Sequence, residues 1–171
     1  GEQLLAPDII KLNTNESPFP PTKRVGELLA NFNYEVLNLY PDPSSSSLRE
    51  FIAEMHGLTP SNIVITHGGD EGLRLAVTTF VDPGEHCLFE DPTYSLYSVL
   101  AGIQDAKSLS IELNDDWSLP EDFADRAIKS ESKLTFIVNP HAPSGRFLTA
   151  KALGAIADST PGVLLIDEAY F

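Results

Sequence analysis

Apolar residues along this chain follow two periods that take turns. Leu48, Phe51, Ile52 and Met55 recur at helical spacing, behind Ser47 and Glu50 as a capping box and ahead of Gly57 as a stop. Ile63, Val64 and Ile65 form a short apolar run that reads as a buried strand. Leu73, Ala76, Val77, Phe80 and Val81 return to helical spacing. Strands are predicted over 86–90, 107–113, 134–138 and 163–166, and helices over 94–101 and 149–157. A further helix is expected behind Ser118 and Glu121 as a capping box, with Phe123, Ala127 and Ile128 on its apolar stripe. Alternating strands and helices predict a mostly parallel sheet covered on both faces, a three-layer α/β/α fold. No internal repeat is visible, and the serine run 44–47 is too short to be a linker.

Residues 1–43 read differently. Asn13-Thr14-Asn15-Glu16-Ser17-Pro18-Phe19-Pro20-Pro21 is rich in residues that disfavour helix, so this segment is expected to be an extended N-terminal arm. A short helix over 22–31 fits inside it. An arm with apolar residues and no core of its own must lie on something, and a second subunit is one candidate. The expected organisation is therefore an arm over 1–43 and a domain over 44–171.

Composition narrows the partners. The chain has 171 residues, 42% hydrophobic and 21% charged, with a net charge of −14. That charge opposes nucleic acid or an anionic membrane as the main partner, since both need positive patches. No apolar run approaches the roughly 20 residues of a membrane span. The start, Gly1-Glu2-Gln3, lacks a basic-then-apolar signal pattern, and a single cysteine, Cys87, excludes an internal disulfide. A cytoplasmic setting is expected, with Cys87 as a small buried hydrophobe.

Candidate chemistry sits where strands end. In open α/β sheets, ligands bind outside the carboxyl ends of the strands. His67-Gly68-Gly69-Asp70-Glu71-Gly72 joins a predicted strand to a helix. Its glycines allow close backbone approach, the helix start offers N–H groups suited to phosphate, and Asp70 is a natural N-cap. Asp91-Pro92-Thr93-Tyr94 puts an aromatic at the start of the next helix, where it could stack on a planar ring or be partly buried. Asn139-Pro140-His141-Ala142-Pro143-Ser144-Gly145 is a rigid loop, with His141 expected at the surface. Asp167 ends the run Val163-Leu164-Leu165-Ile166. A carboxylate there needs a cation or several donors, and a protonated heterocycle nitrogen would serve. No His/Cys cluster has metal-ligand spacing, so no metal is expected.

Six segments together resemble the fold-type-I aminotransferases that use pyridoxal 5′-phosphate (PLP), and within them the histidinol-phosphate aminotransferase branch. They are Leu12-Asn13-Thr14-Asn15-Glu16-Ser17-Pro18, Leu39-Tyr40-Pro41, His67 to Gly72, Pro92-Thr93-Tyr94-Ser95-Leu96-Tyr97, Pro140 to Gly145, and Asp167-Glu168-Ala169-Tyr170. They occur in family order over nearly the whole chain. The resemblance implies the first part of the PLP-binding large domain, with an extended N-terminal arm. It implies that Gly69 and Asp70 give N–H groups to the PLP phosphate, and that Tyr94 stacks on the pyridine ring. Asp167 would pair with the ring nitrogen and Tyr170 with the phenolic oxygen. Tyr40 would reach the cofactor of a neighbouring subunit, making a homodimer part of the site, and Asn15 would lie at the substrate. The implied substrates are an amino acid or histidinol phosphate and a 2-oxo acid.

The chain departs from the family pattern in three places. Ala142 stands where the family has an Asn on the phenolic oxygen, and His141 is a candidate substitute. Ser17 stands where some relatives carry an aromatic. The family's cofactor-linking lysine follows the Asp-Glu-Ala-Tyr motif, whereas Lys11, Lys23, Lys107, Lys129, Lys133 and Lys151 all precede it. The expectation is the N-terminal half of an aminotransferase. Alternatives are a non-catalytic PLP-fold fragment or binding module and, among enzymes, a threonine-phosphate decarboxylase-like or aromatic aminotransferase.

Overall fold

In the computed structural model, residues 10–11 and 14–171 are described. Gly1-Glu2-Gln3, and Leu12 and Asn13 of the first motif, lie outside them. The chain divides into two compact units, Gly1–Pro60 and Ser61–Phe171.

The first unit carries helix α1 (Lys23–Ala30), a 3-10 turn over Tyr34–Asn38, and helix α2 (Ser46–His56). Among its described residues only Ala53 is buried, and Phe19, Leu29, Leu37 and Tyr40 are exposed. The cap of α2 differs from the expected Ser47 box. Ser45 is the N-cap, with φ 48°, and its side chain makes no cap bond. The capping acceptor is Asp42, which takes the N–H groups of Ser44 at 3.0 Å and Ser46 at 2.6 Å. Those donors, the backbone bond from Ser44 first, hold the Asp42 carboxyl well below the usual carboxylate range. The expected stop holds: Gly57 ends α2 at φ 63°, where a side chain would be strained.

The second unit alternates helix and strand as the periodicity predicts. Its elements are α3 (Gly69–Phe80), β1 (His86–Asp91), α4 (Leu96–Ile103), β2 (Lys107–Glu112), α5 (Phe123–Ser130), β3 (Leu134–Val138), α6 (Ala150–Ser159) and β4 (Val163–Asp167). The strands form one parallel sheet in the order β2-β1-β3-β4. Side chains alternate across it. Cys87, Phe89, Leu134, Phe136 and Val138 pack with Leu73, Val77, Tyr97 and Leu100 of α3 and α4. Leu88, Ile111 and Ile137 pack with Phe123, Ala127 and Ile156 of α5 and α6. The result is the expected three-layer arrangement, each buried Leu, Ile or Phe contributing roughly 1.5–3 kcal/mol. Cys87 is fully buried, and burial pushes its thiol up to about 11.

Gly162 admits β4 to the sheet. A Cβ there would lie 2.3 Å from the Lys133 carbonyl oxygen, so only glycine lets Val163 N–H reach that oxygen at 2.9 Å.

Three local expectations fail. Residues 63–65 form no strand, and Val64 is 76% exposed. A strand needs a neighbour for its N–H and C=O groups, and no described segment pairs with this one. Gly68, not Asp70, is the N-cap of α3, because the turn requires φ 79°; Asp70 sits in the first helical turn. Asp122, not Ser118, holds the N-cap position of α5, with no side-chain cap bond, and the Ser118 N–H bonds Asp116 Oδ1 at 3.0 Å in the preceding turn.

Candidate functional site

Parallel strands bring all four carboxyl ends to one edge of the sheet. From β1 the chain crosses to β2 on one side, whereas β3 leads to β4 on the other, so the strand order reverses between β1 and β3. That reversal opens a crevice at the strand ends, the usual ligand position in open α/β sheets.

Four of the predicted residues meet at this edge. Asp167, at the end of β4, is half-buried; its Oδ2 accepts the Tyr97 hydroxyl at 2.7 Å and its Oδ1 the Ala169 N–H at 3.1 Å. Tyr97 is fully buried on α4, stacked on Phe136 with ring centroids 4.5 Å apart. Tyr94 stands edge-on to Tyr97 at 5.7 Å, and its hydroxyl donates to Asp70 Oδ1 at 3.3 Å. This bond links the loop after β1 to the first turn of α3. Burial first, then Asp70, raises the Tyr94 hydroxyl pKa, with Tyr170 and Asp167 adding to it. Tyr94 remains 43% exposed and Tyr170 52% exposed. Tyr94 lies just before α4, whose N-cap is Ser95, and not in its first turn.

The start of α3 is open. A Cβ on Gly68 or Gly69 would meet nothing within 4 Å. The first N–H groups of a helix have no intrahelical partner, so those of Gly69 and Asp70 are available to an anion. Upstream, the His67 N–H is taken by the Glu71 carboxylate.

His141 is not at the surface. It is 7% exposed, with Nδ1 2.8 Å from Ser144 Oγ and Nε2 2.9 Å from the Pro92 carbonyl. The loop after β3 closes on itself and turns the imidazole inward: Asn139 Oδ1 accepts Leu148 N–H at 2.7 Å, and His141 N–H donates to the Arg146 carbonyl at 2.7 Å. With both ring nitrogens engaged, His141 ties the β1 loop to the β3 loop and is not poised to replace the Asn missing at Ala142.

Sequence reasoning passed over two residues here. Tyr97 lies three positions after Tyr94, a spacing that would put both on a shared face in a helix, although Tyr94 stands just before α4. Glu90 follows the apolar Cys87-Leu88-Phe89 and precedes Asp91 at the end of β1, and it is 2% exposed. Tyr40 and Asn15 belong to the first unit, both exposed, Asn15 with φ 50°. Among the described residues, no group of three or more His, Cys, Asp or Glu could hold a metal ion, and no helix is long and apolar enough to cross a membrane.

Comparison with known proteins fits this geometry. The chain belongs to the aminotransferase class I and II family, which matches residues 7–171. It is 41% identical over 170 residues to a histidinol-phosphate aminotransferase of Rippkaea orientalis, covering 99% of this chain and 47% of that relative. To a histidinol-phosphate aminotransferase of Brachyspira hyodysenteriae it is 39% identical over 171 residues, with the same coverage. The fold matches histidinol-phosphate aminotransferase from Sinorhizobium meliloti, solved in complex with pyridoxal-5′-phosphate, at a TM-score of 0.84 and 25% identity, over 92% of this chain and 43% of that one. N-succinyldiaminopimelate aminotransferase from Mycobacterium tuberculosis matches at 0.70 and 28% identity, over 86% and 41%. The chain thus spans about half the length of the curated relatives it matches.

Proposed function

We propose that this chain forms the ring pocket and part of the phosphate cup of a PLP-dependent aminotransferase of the histidinol-phosphate type. The whole protein moves an amino group between an amino acid or histidinol phosphate and a 2-oxo acid. One observation carries the reading: the Tyr94–Asp70 and Tyr97–Asp167 bonds gather a half-exposed aromatic, a half-buried carboxylate and an open helix start at one sheet edge.

The residues present suit that cofactor. PLP, when bound, supplies an electron sink for the carbon that carries the amino group. Asp167, an acceptor already oriented by two donors, would hold the proton on the ring nitrogen. Tyr94 would stack on the ring and limit water there. Tyr170 would serve the phenolic oxygen. Gly69 and Asp70 would give backbone N–H groups to the phosphate, where a Cβ on Gly69 meets nothing within 4 Å. As the resemblance implies, Tyr40 would serve the phosphate site of a partner subunit in a homodimer, and Asn15 would bind substrate. The lysine that would take and return the substrate proton is expected in the part of the relatives' length that this chain does not span. A cytoplasmic setting suits the single, buried cysteine.

Borohydride reduction of the relative-length protein with PLP, followed by peptide mass analysis, tests this. A phosphopyridoxyl adduct on one lysine C-terminal to Phe171 is the expected result. Absence of any adduct would leave a non-catalytic binding module, the reading that Ala142 favours.

A further inference from the structure

Glu90 stands at the crevice between β1 and β3, and nothing in the roles above uses it. The β1–β3 pairing runs from Cys87↔Leu134 to Phe89↔Phe136 and goes no further. Beyond it the strands part, and a side chain takes over from the ladder: Glu90 Oε1 accepts the Val138 N–H at 2.8 Å. Val138 is the register partner of Asp167 on β4. Glu90 therefore grips the residue that flanks the proposed cofactor carboxylate.

Its other oxygen is a buried orphan. Glu90 Oε2 makes no hydrogen bond of sound geometry, and neither does the buried Thr93 Oγ1, although the Thr93 hydroxyl and the Glu90 N–H lie near enough to favour the charged form in part. Oε2 belongs to a carboxyl lining a cavity of about 70 Å³ walled by Trp117, Ile137, His141, Arg146 and Phe147. The groups facing Glu90 offer no free cation. Arg146 pairs with Asp116 at 2.6 Å, both His141 nitrogens are engaged, and Tyr97 donates to Asp167. Asp167 itself is of like sign. A carboxyl buried this deeply, with no cation to pair with, gives up its charge more readily than one in water.

We propose that Glu90 is a positioning residue of this site: a carboxyl that clamps the ends of β1 and β3 together and, while protonated, keeps a second negative charge away from Asp167. Burial first, with Asp167 adding to it, pushes the Glu90 carboxyl up to about 7. The inference rests on the reading that Asp167 serves the cofactor ring.

The sign of the pH effect follows from linkage. Glu90 has an ordinary value of 4.5 and a folded value of about 7, so between these the folded state binds more protons than the unfolded one. Glu90 therefore lowers stability progressively as pH rises from about 4.5 to about 7, and by a constant amount above that. Glu90→Gln keeps the acceptor for Val138 and cannot ionise. In the relative-length holoenzyme, the melting temperature of Glu90→Gln minus that of wild type should be near zero at pH 4.5, rise to pH 7 and then level off. The midpoint of the pH titration of the bound cofactor's absorbance should shift in Glu90→Gln relative to wild type. A flat melting difference, or an unchanged midpoint, overturns the proposal. Carboxyl carbon NMR of glutamate-labelled wild type decides the matter even if the variant fails to fold: one glutamate titrating near 7 supports it, and none above 6 overturns it. Wild type that retains no PLP would instead sink the proposed function, while the melting difference still reads the charge state of Glu90.

Discussion

The Tyr97 hydroxyl donates to Asp167 Oδ2 over 2.7 Å, joining a fully buried ring on α4 to the last residue of β4. Seventy residues separate the two in sequence. The bond spans the sheet edge because Tyr97 packs flat on Phe136, and Phe136 stands on the same face as Val138 beside Asp167. Burial first, and then Asp167, raises the Tyr97 hydroxyl far above its ordinary value, so it remains a donor at every physiological pH. Asp167 thus receives its orientation from a rigid part of the core.

Tyr97→Phe keeps the stacked ring and removes only the donor. Hydrogen bonds to charged groups contribute about 1.5–3 kcal/mol, and Asp167 is wet enough for water to replace part of that. Urea unfolding should show a loss of about 1.5 kcal/mol for Tyr97→Phe, and about 3–5 kcal/mol for Tyr97→Ala, which also leaves a cavity. Equal losses for the two variants would mean that the hydroxyl, not the ring, carries the contribution of Tyr97.

Gly68 and Gly69 are adjacent and should respond oppositely. Gly68 sits at φ 79°, so Gly68→Ala strains the backbone and should cost about 1 kcal/mol or more. Gly69 opens the helix, and a Cβ there meets nothing within 4 Å. Gly69→Ala should leave stability unchanged or raise it by up to about 1 kcal/mol through helix propensity. The added methyl instead occupies the approach to the N–H groups, so PLP affinity should fall roughly tenfold, about 1.4 kcal/mol. Thermal melting and PLP titration of both variants separate strain from lost access; unchanged affinity in Gly69→Ala removes that turn from the phosphate cup.

His141→Ala takes a partner from the Pro92 carbonyl and from the Ser144 hydroxyl, but Pro92 is exposed and Ser144 Oγ still accepts the Arg146 N–H at 3.2 Å. Water can replace the lost bonds, so each is worth only the net contribution of an ordinary hydrogen bond, about 0.5–1.5 kcal/mol. The variant should lose stability by about that amount plus the packing of the buried ring, and His141→Gln should recover part of it. The absorbance spectrum of bound PLP should stay at the wild-type position, because both imidazole nitrogens already have protein partners. A shifted spectrum in a folded His141→Gln variant would return His141 to the role vacated at Ala142.

The layered sheet was legible because each strand carries its own apolar run, and each helix its own stripe, with turn residues between. Residues 63–65 carry such a run too, yet form no strand. A strand depends on a neighbour that its own residues do not encode. Helix starts were misplaced at Ser47, Asp70 and Ser118 for a related reason. Asp42, Gly68 and Asp122 compete as caps, and only the path of the incoming chain decides between them. At the sheet edge, Tyr94 and Asp167 stood out as an aromatic and a carboxylate at strand exits. Glu90 and His141 did not, since nothing local in the sequence says that a loop 49 residues away will fold over Pro92 and bury the imidazole.

Asp167 has two candidate duties, and substitution separates them. As a structural acceptor it receives Tyr97 and Ala169; as a cofactor partner it holds a proton on the ring nitrogen. Asp167→Asn keeps one carbonyl oxygen for Tyr97 and loses the negative charge. If the charge matters chiefly to the reaction, turnover in the relative-length protein should drop about 10²–10³-fold, as for loss of a single preorganised electrostatic group, with PLP content nearly unchanged. Asp167→Ala should lower turnover at least as far and stability by a further increment, because the Tyr97 hydroxyl then has no acceptor in a buried setting. Turnover per folded monomer and PLP bound per monomer are the two quantities to compare. A parallel fall of both in Asp167→Asn would make Asp167 a residue of the fold, and the ring nitrogen would need another partner at this edge.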